Sequence, residues 1–185
     1  MMSAQRQAPT FAIALAVLLW SIPAAGQDFR LGGGVTIPDG GGGGGRGTQV
    51  GGQVQASIEL GPRSSGLGVR LDMLYSQTSR SALSLGDVVV AGQSQRTYAA
   101  VGGLFYRREM GNVAPYLLGG GGVYGQSTST GASLGVHGGV GIDYAGSKYH
   151  PFVEARVHRF RADDGSTAVR SREQRLVSAL VGLRF

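Results

Sequence analysis

The chain has 185 residues, 34 of them glycine and none cysteine, with a formal net charge of +6. So much glycine excludes a helical domain, since each one weakens a helix by up to ~1 kcal/mol, and the missing cysteine excludes disulfide bracing and a lipid-modified cysteine tether. The basic excess is modest, nearly all arginine and spread along the chain, which speaks against nucleic acid as a partner.

Near the start, Arg6 precedes an apolar stretch from Phe11 to Trp20, and the small residues Ala24, Ala25 and Gly26 follow. This is the three-part form of a secretory signal with cleavage after Gly26. The apolar core of about ten residues falls short of the roughly 20 that a spanning helix needs. The expected organisation is therefore a signal peptide over 1–26 and one domain over 27–185. Export adds a second argument against nucleic acid.

In the mature chain the apolar pattern has a period of two, which is the signature of strands. Phe29, Leu31, Gly33, Val35 and Ile37 share one face, with Asp28, Arg30 and Thr36 on the other. Val50, Gly52, Val54, Ala56, Ile58 and Leu60 alternate with Gln49, Gln53, Gln55, Ser57 and Glu59. Leu67, Val69, Leu71, Met73 and Tyr75 stand opposite Arg70, Asp72 and Ser76. Further strands are predicted at about 96–107, 115–125, 133–145, 151–161 and 174–185. That makes about eight, each near the 9–11 residues with which a tilted strand crosses a bilayer.

The connections alternate in kind. Gly61 to Gly66, Arg108 to Val113 and Gly146 to His150 are short and carry turn residues. Pro38 to Gly47, Thr78 to Gln93, Gln126 to Gly131 and Ala162 to Glu173 are polar or glycine-rich, and only the third is brief. With an even strand number both termini fall on the short-turn side, as in a bacterial outer-membrane barrel.

Charge decides which face meets lipid. In PFVEARVHRF, Pro151 to Phe160, either Glu154, Arg156 and His158 point outward or Val153, Ala155 and Val157 do. An arginine at the bilayer midplane costs ~2–4 kcal/mol and a valine nothing, so the charged set points inward. Phe152 and Phe160 then share the inward parity, against a simple aromatic girdle unless a bulge shifts the register. Tyr98 and Tyr106 are eight apart in one strand and Tyr116 and Tyr124 in the next, a spacing that suits two girdles of an apolar band. A sheet in hydrocarbon tolerates no edge, so the strands must close. Closure at eight leaves a lumen filled by side chains, where Glu59, Arg70, Asp72, Glu154, Arg156, His158 and Arg184 are expected to form a salt-bridged structural plug. Gly102, Gly119 to Gly122, Gly135, Gly138, Gly139 and Gly141 give room and curvature.

The signal, PYLLGGGGVYG at 115–125, VEARVHRF at 153–160 and the ending VGLRF resemble the small outer-membrane β-barrel proteins of Gram-negative bacteria, the OmpA- and OmpX-like barrel domain. The resemblance spans about 27–185. It implies an all-β, closed, up-and-down antiparallel barrel in the outer membrane, with outer-membrane lipid and lipopolysaccharide around it. It also implies that Phe185, with Leu183, Val181, Ala179 and Val177 alternating before it, is the address read by the barrel assembly machinery, although a Tyr often stands where Leu183 does. The peptidoglycan-binding domain that follows the OmpA barrel is not expected.

Catalytic and cofactor signatures are weak. The GxGxxG at Gly120, Gly122 and Gly125, and another at Gly42, Gly44 and Gly47, open no helix of a strand–helix–strand unit. His137, His150 and His158 lack ligand-like spacing, and Asp163 and Asp164 beside Gly165 read as a solvated loop rather than a calcium site. No Ser–His–acid set can be nominated. The expectation is a monomeric, non-enzymatic protein without cofactor or metal, acting in envelope integrity or adhesion through its outer loops. Two alternatives stand beside it: a small channel, and a secreted soluble lipocalin-like barrel with apolar residues inside.

Overall fold

A computed structural model describes residues 27–39, 50–62, 65–79, 83–85, 88–90, 94–127, 131–146, 149–162 and 172–185. The expected signal segment 1–26, the second glycine motif at 42–47 and the Asp163–Asp164 pair lie outside them. The described residues form ten strands: β1 (Gln27–Asp39), β2 (Gly51–Leu60), β3 (Gly66–Ser79), β4 (Leu83–Leu85), β5 (Val88–Val90), β6 (Ser94–Arg107), β7 (Val113–Gln126), β8 (Ala132–Tyr144), β9 (His150–Ala162) and β10 (Arg172–Arg184). Eight of these close into one antiparallel barrel in the order β1-β2-β3-β6-β7-β8-β9-β10, with β10 back against β1. The other two pair as a small hairpin within the connection between β3 and β6, where the sequence pattern shows only a polar loop.

Backbone pairing fixes the barrel's shape. Followed once round through Leu60, Val69, Leu104, Gly119, Gly138, Val157 and Val177, the ladder that starts at Gln27 returns to β1 ten residues on, at Ile37. A stagger of that size over eight strands tilts them by roughly 40°, within the usual range for a closed barrel. Because the stagger is even, the inward and outward parities match where β10 meets β1. The ladder runs through Phe152 and Phe160 without a bulge.

The three short links, β2 to β3, β6 to β7 and β8 to β9, lie at the end that also holds Gln27 and Phe185. In the second of them Gly111 has φ +64° while Asn112 does not enter positive φ. This is the type II′ pattern, whose first central position favours glycine and whose twist suits a two-residue hairpin.

Outside, the barrel is apolar: Leu31, Val35, Val54, Leu71, Leu104, Leu117, Val140, Val153 and Val181 all project from the wall. Inside it is polar and charged, with Glu59, Arg70, Asp72, Glu154, Arg156 and His158 almost fully enclosed. This is the reverse of a lipocalin-like barrel, which holds its apolar residues within. Tyr98 and Tyr106 are 48 % and 50 % exposed on the outer wall, but Tyr116 and Tyr124 are 3 % and 1 % exposed in the lumen. The second tyrosine pair is therefore no girdle. Leu117, Gly119, Gly121 and Val123 take the outward parity of β7, and both hydroxyls find partners inside.

Inward glycines make the space for these rings. A Cβ on Gly141 would stand 2.3 Å from the Tyr116 ring, and one on Gly32 2.9 Å from Phe152. The large inward residue of one strand thus sits over the bare backbone of a neighbour.

Candidate functional site: the lumen

Alternation along each strand delivers every second side chain to the interior, and in the half nearer the short turns these are mainly charged. Among the described residues, five arginines (30, 70, 107, 156 and 184) and five carboxylates (28, 59, 72, 143 and 154) are buried there. The charges balance. That matters because an ion taken out of water costs several kcal/mol unless paired and hydrogen-bonded.

Arg70 is the centre of the network. Its Nε donates to Asp72 Oδ1 at 2.7 Å, its Nη1 to Glu154 Oε2 at 2.7 Å, and its Nη2 to Ser57 Oγ at 3.2 Å. Arg156 donates through Nη1 to Asp72 Oδ2 at 2.8 Å and through Nε to Glu154. The Gln55 carboxamide, its oxygen turned toward them, accepts from Ser57, Arg70 and Arg156 within 3.1 Å. Because β3 and β9 are four strands apart in either direction, the Arg70–Glu154 and Arg156–Asp72 pairs cross the full width of the lumen.

Below this layer Arg30 donates to Glu59 Oε1, Asp143 Oδ1 and the Tyr116 hydroxyl, each at 2.7 Å. That hydroxyl in turn donates a hydrogen bond to Glu154 Oε2 at 2.7 Å, joining the two layers. The Arg30 guanidinium also lies over the Phe152 ring, 4.0 Å from its centroid, a stacked arrangement available to arginine and worth more when desolvated. Arg107 pairs with Glu59 and, at 3.0 Å, with Asp143. Arg184 lies at the mouth, 3.5 Å from Asp28 and 3.8 Å from Asp143.

Of the seven residues expected in the plug, Glu59, Arg70, Asp72, Glu154 and Arg156 meet in this cluster and Arg184 sits at its edge. His158 points inward but makes no ion pair among the described residues. Its Nδ1 lies 2.9 Å from the Tyr124 hydroxyl, and its ring faces His137 at 5.7 Å. The sequence reading missed Asp28, Arg30, Arg107, Asp143 and Tyr116. Their parity was the available signal, since Asp28 and Arg30 already stood on the polar face of the first strand.

Above the histidines the charges end, and apolar side chains share the lumen with buried polar ones such as Gln53, Ser76 and Thr97. Leu74, Ala99, Val101, Tyr124, Phe160 and Leu176 form a buried cluster, with Tyr124 and Phe160 stacked at 4.6 Å. A continuous inward core therefore runs from ion pairs through a histidine pair to an apolar cluster flanked by uncharged polar side chains. Among the described residues no three His, Asp or Glu side chains gather in a form that would hold a metal ion. The glycine motif at Gly120, Gly122 and Gly125 lies within β7 and opens no helix.

This is the fold of the small outer-membrane β-barrels. The chain is similar to Neisserial surface protein A (NspA) at a TM-score of 0.57 and 15 % identity, covering 88 % of this chain and 98 % of that one. It is similar to Ail, the attachment invasion locus protein of Yersinia pestis, at a TM-score of 0.50 and 16 % identity, covering 85 % and 98 %. It is also similar to the outer membrane enzyme PagL at a TM-score of 0.52 and 13 % identity, again covering 85 % and 98 %. No protein-family model matches the chain, and no curated protein matches its sequence. At such identities the likeness concerns the fold, and the fold is shared by enzymes and non-enzymes alike.

Proposed function

We propose that this is a non-enzymatic outer-membrane protein, exported by its first 26 residues, whose barrel is a stable frame for surface interactions made by the longer connections. The observation that carries this reading is the distribution of side chains: five arginines and five carboxylates enclosed in the lumen, valine and leucine on the wall. That arrangement is costly in water and favourable in a bilayer.

Two features support a structural rather than a catalytic or conducting role. The three described histidines, His137, His150 and His158, all take the inward parity of their strands, so none can serve a Ser–His–acid set on the lipid face. Ion pairs and rings fill the lumen across its width, which opposes the small-channel alternative. The outward ladder of Val177, Ala179, Val181, Leu183 and Phe185 supports the reading of the last strand as an address for the assembly machinery. Phe185 meets Tyr149 edge-on at 6.0 Å and hydrogen-bonds through its backbone to Phe29.

The test is fractionation of cells that express the chain, followed by gel migration with and without boiling. Recovery in outer membranes with faster migration unboiled is expected, together with silence in a planar bilayer. Recovery in the soluble fraction overturns the membrane reading, and steady single-channel conductance overturns the closed lumen.

A further inference from the structure

Through its middle the outer wall is apolar, and outward arginines stand at its far end: Arg96 on β6, and a group of three on β9 and β10. At the end of the barrel away from Phe185, Arg159 and Arg161 on β9 and Arg175 on β10 point outward, and Arg159 and Arg175 are direct cross-strand partners. Like charges placed directly opposite in a ladder are destabilising. Glu173, the partner of Arg161, comes no nearer to Arg159 than 3.8 Å, and Asp39 stands at the β1 position across from Arg175. Positive charge therefore remains in excess, and it is concentrated on β9.

Their height is set by the strand. Ten residues separate Arg175 from Phe185, and at ~3.3 Å per residue and a tilt near 40° this is about 25 Å, the height of an apolar band. With Phe185 and Tyr149 at one interface, the arginines lie at the other, where lipid headgroups begin. Beside them on β8, Val136 is paired with Arg159, and Leu134, 80 % exposed, follows on the same face.

Resting on the membrane reading above, we infer that Arg159, Arg161 and Arg175 form a docking site for the phosphorylated headgroup of an outer-leaflet lipid, with its acyl chains against Val136 and Leu134. Guanidiniums bind phosphate oxygens in pairs, and a phosphate here offsets the positive excess of the patch.

The test uses the folded chain in phosphatidylcholine vesicles doped with a bis-phosphorylated glycolipid, with the same glycolipid stripped of phosphate, or with inorganic phosphate in solution. The readout is the temperature at which the closed barrel loses its fast gel migration. The phosphorylated lipid is expected to raise that temperature for the native chain, and Arg159→Gln with Arg161→Gln to abolish more than half of the rise. Arg159→Lys with Arg161→Lys, which keeps the charge, should retain part of it. An equal rise with the stripped lipid, or an undiminished rise in the Gln variant, overturns the site. An equal rise with inorganic phosphate overturns lipid as its source. A native chain that never migrates as a closed barrel contradicts the membrane reading itself, and the site with it.

Discussion

Arg70 on β3 donates to Glu154 on β9 over 2.7 Å, from one side of the barrel to the other. A single hydrogen-bonded pair thus bridges the lumen, and the pair between Arg156 and Asp72 bridges it again alongside.

Breaking this bridge from one side should be worse than removing it whole. Arg70→Ala leaves Asp72 and Glu154 short of a cation in a closed space, and such a loss typically costs ~3–5 kcal/mol. The double variant Arg70→Met with Glu154→Leu removes one charge of each sign and fills the volume, so it is expected to cost less than either single variant. Urea unfolding followed by gel migration gives the comparison. A double variant as unstable as the sum of the singles would show that the pair is not the unit of stability.

Space beneath Tyr116 is a second requirement. Gly141→Ala puts a methyl 2.3 Å from that ring, so destabilisation of about 1–3 kcal/mol is expected from overpacking. Gly138→Ala, whose Cβ would lie on the outer wall 3.7 Å from the Leu118 carbonyl oxygen, should change stability little. Tyr116→Leu combined with Gly141→Ala should recover part of the loss.

Much of this architecture was legible because lipid imposes a simple rule. Val153, Ala155 and Val157 alternating with Glu154, Arg156 and His158 fix the parity of β9 from cost alone, and that parity places Phe152 and Phe160 in the lumen. The tyrosines show where the rule is silent. A spacing of eight keeps two residues on one face without saying which, so Tyr116 and Tyr124 read as readily as girdle residues as lumen ones. Only their hydroxyl partners, Arg30, Glu154 and His158, decide. Those contacts join strands far apart in sequence, as Arg30 and Asp143 also do, and no local pattern encodes them. The hairpin of Leu83–Leu85 with Val88–Val90 escaped because three-residue strands are too short for alternation to register.

Depth in the bilayer should grade the cost of a new charge on the wall. Val140→Arg, in the middle of β8, is expected to destabilise by ~2–4 kcal/mol, and Leu134→Arg, near its outer end, by ~0–1 kcal/mol. Equal costs at the two positions would place both in the same medium. Unfolding in vesicles rather than detergent keeps the depth scale meaningful.

The end of the chain should matter for assembly more than for the folded barrel's interior. Phe185→Ala removes the edge-on contact with Tyr149 but touches no lumen side chain. A lower yield of assembled barrel in cells is expected, with near-native unfolding of whatever assembles. Undiminished assembly would remove Phe185 from any role as an address.

The account depends most on which medium wets the valine-rich wall. Ala155 and Ala179 are cross-strand partners facing outward, and Ser178, next to Ala179 in the chain, faces the lumen. Nitroxide labels on Ala155→Cys and Ala179→Cys, in the chain reconstituted into vesicles, should relax faster with dissolved oxygen and respond little to a water-soluble nickel chelate. Strong relaxation by the nickel chelate at both positions, with little response to oxygen, would contradict the account.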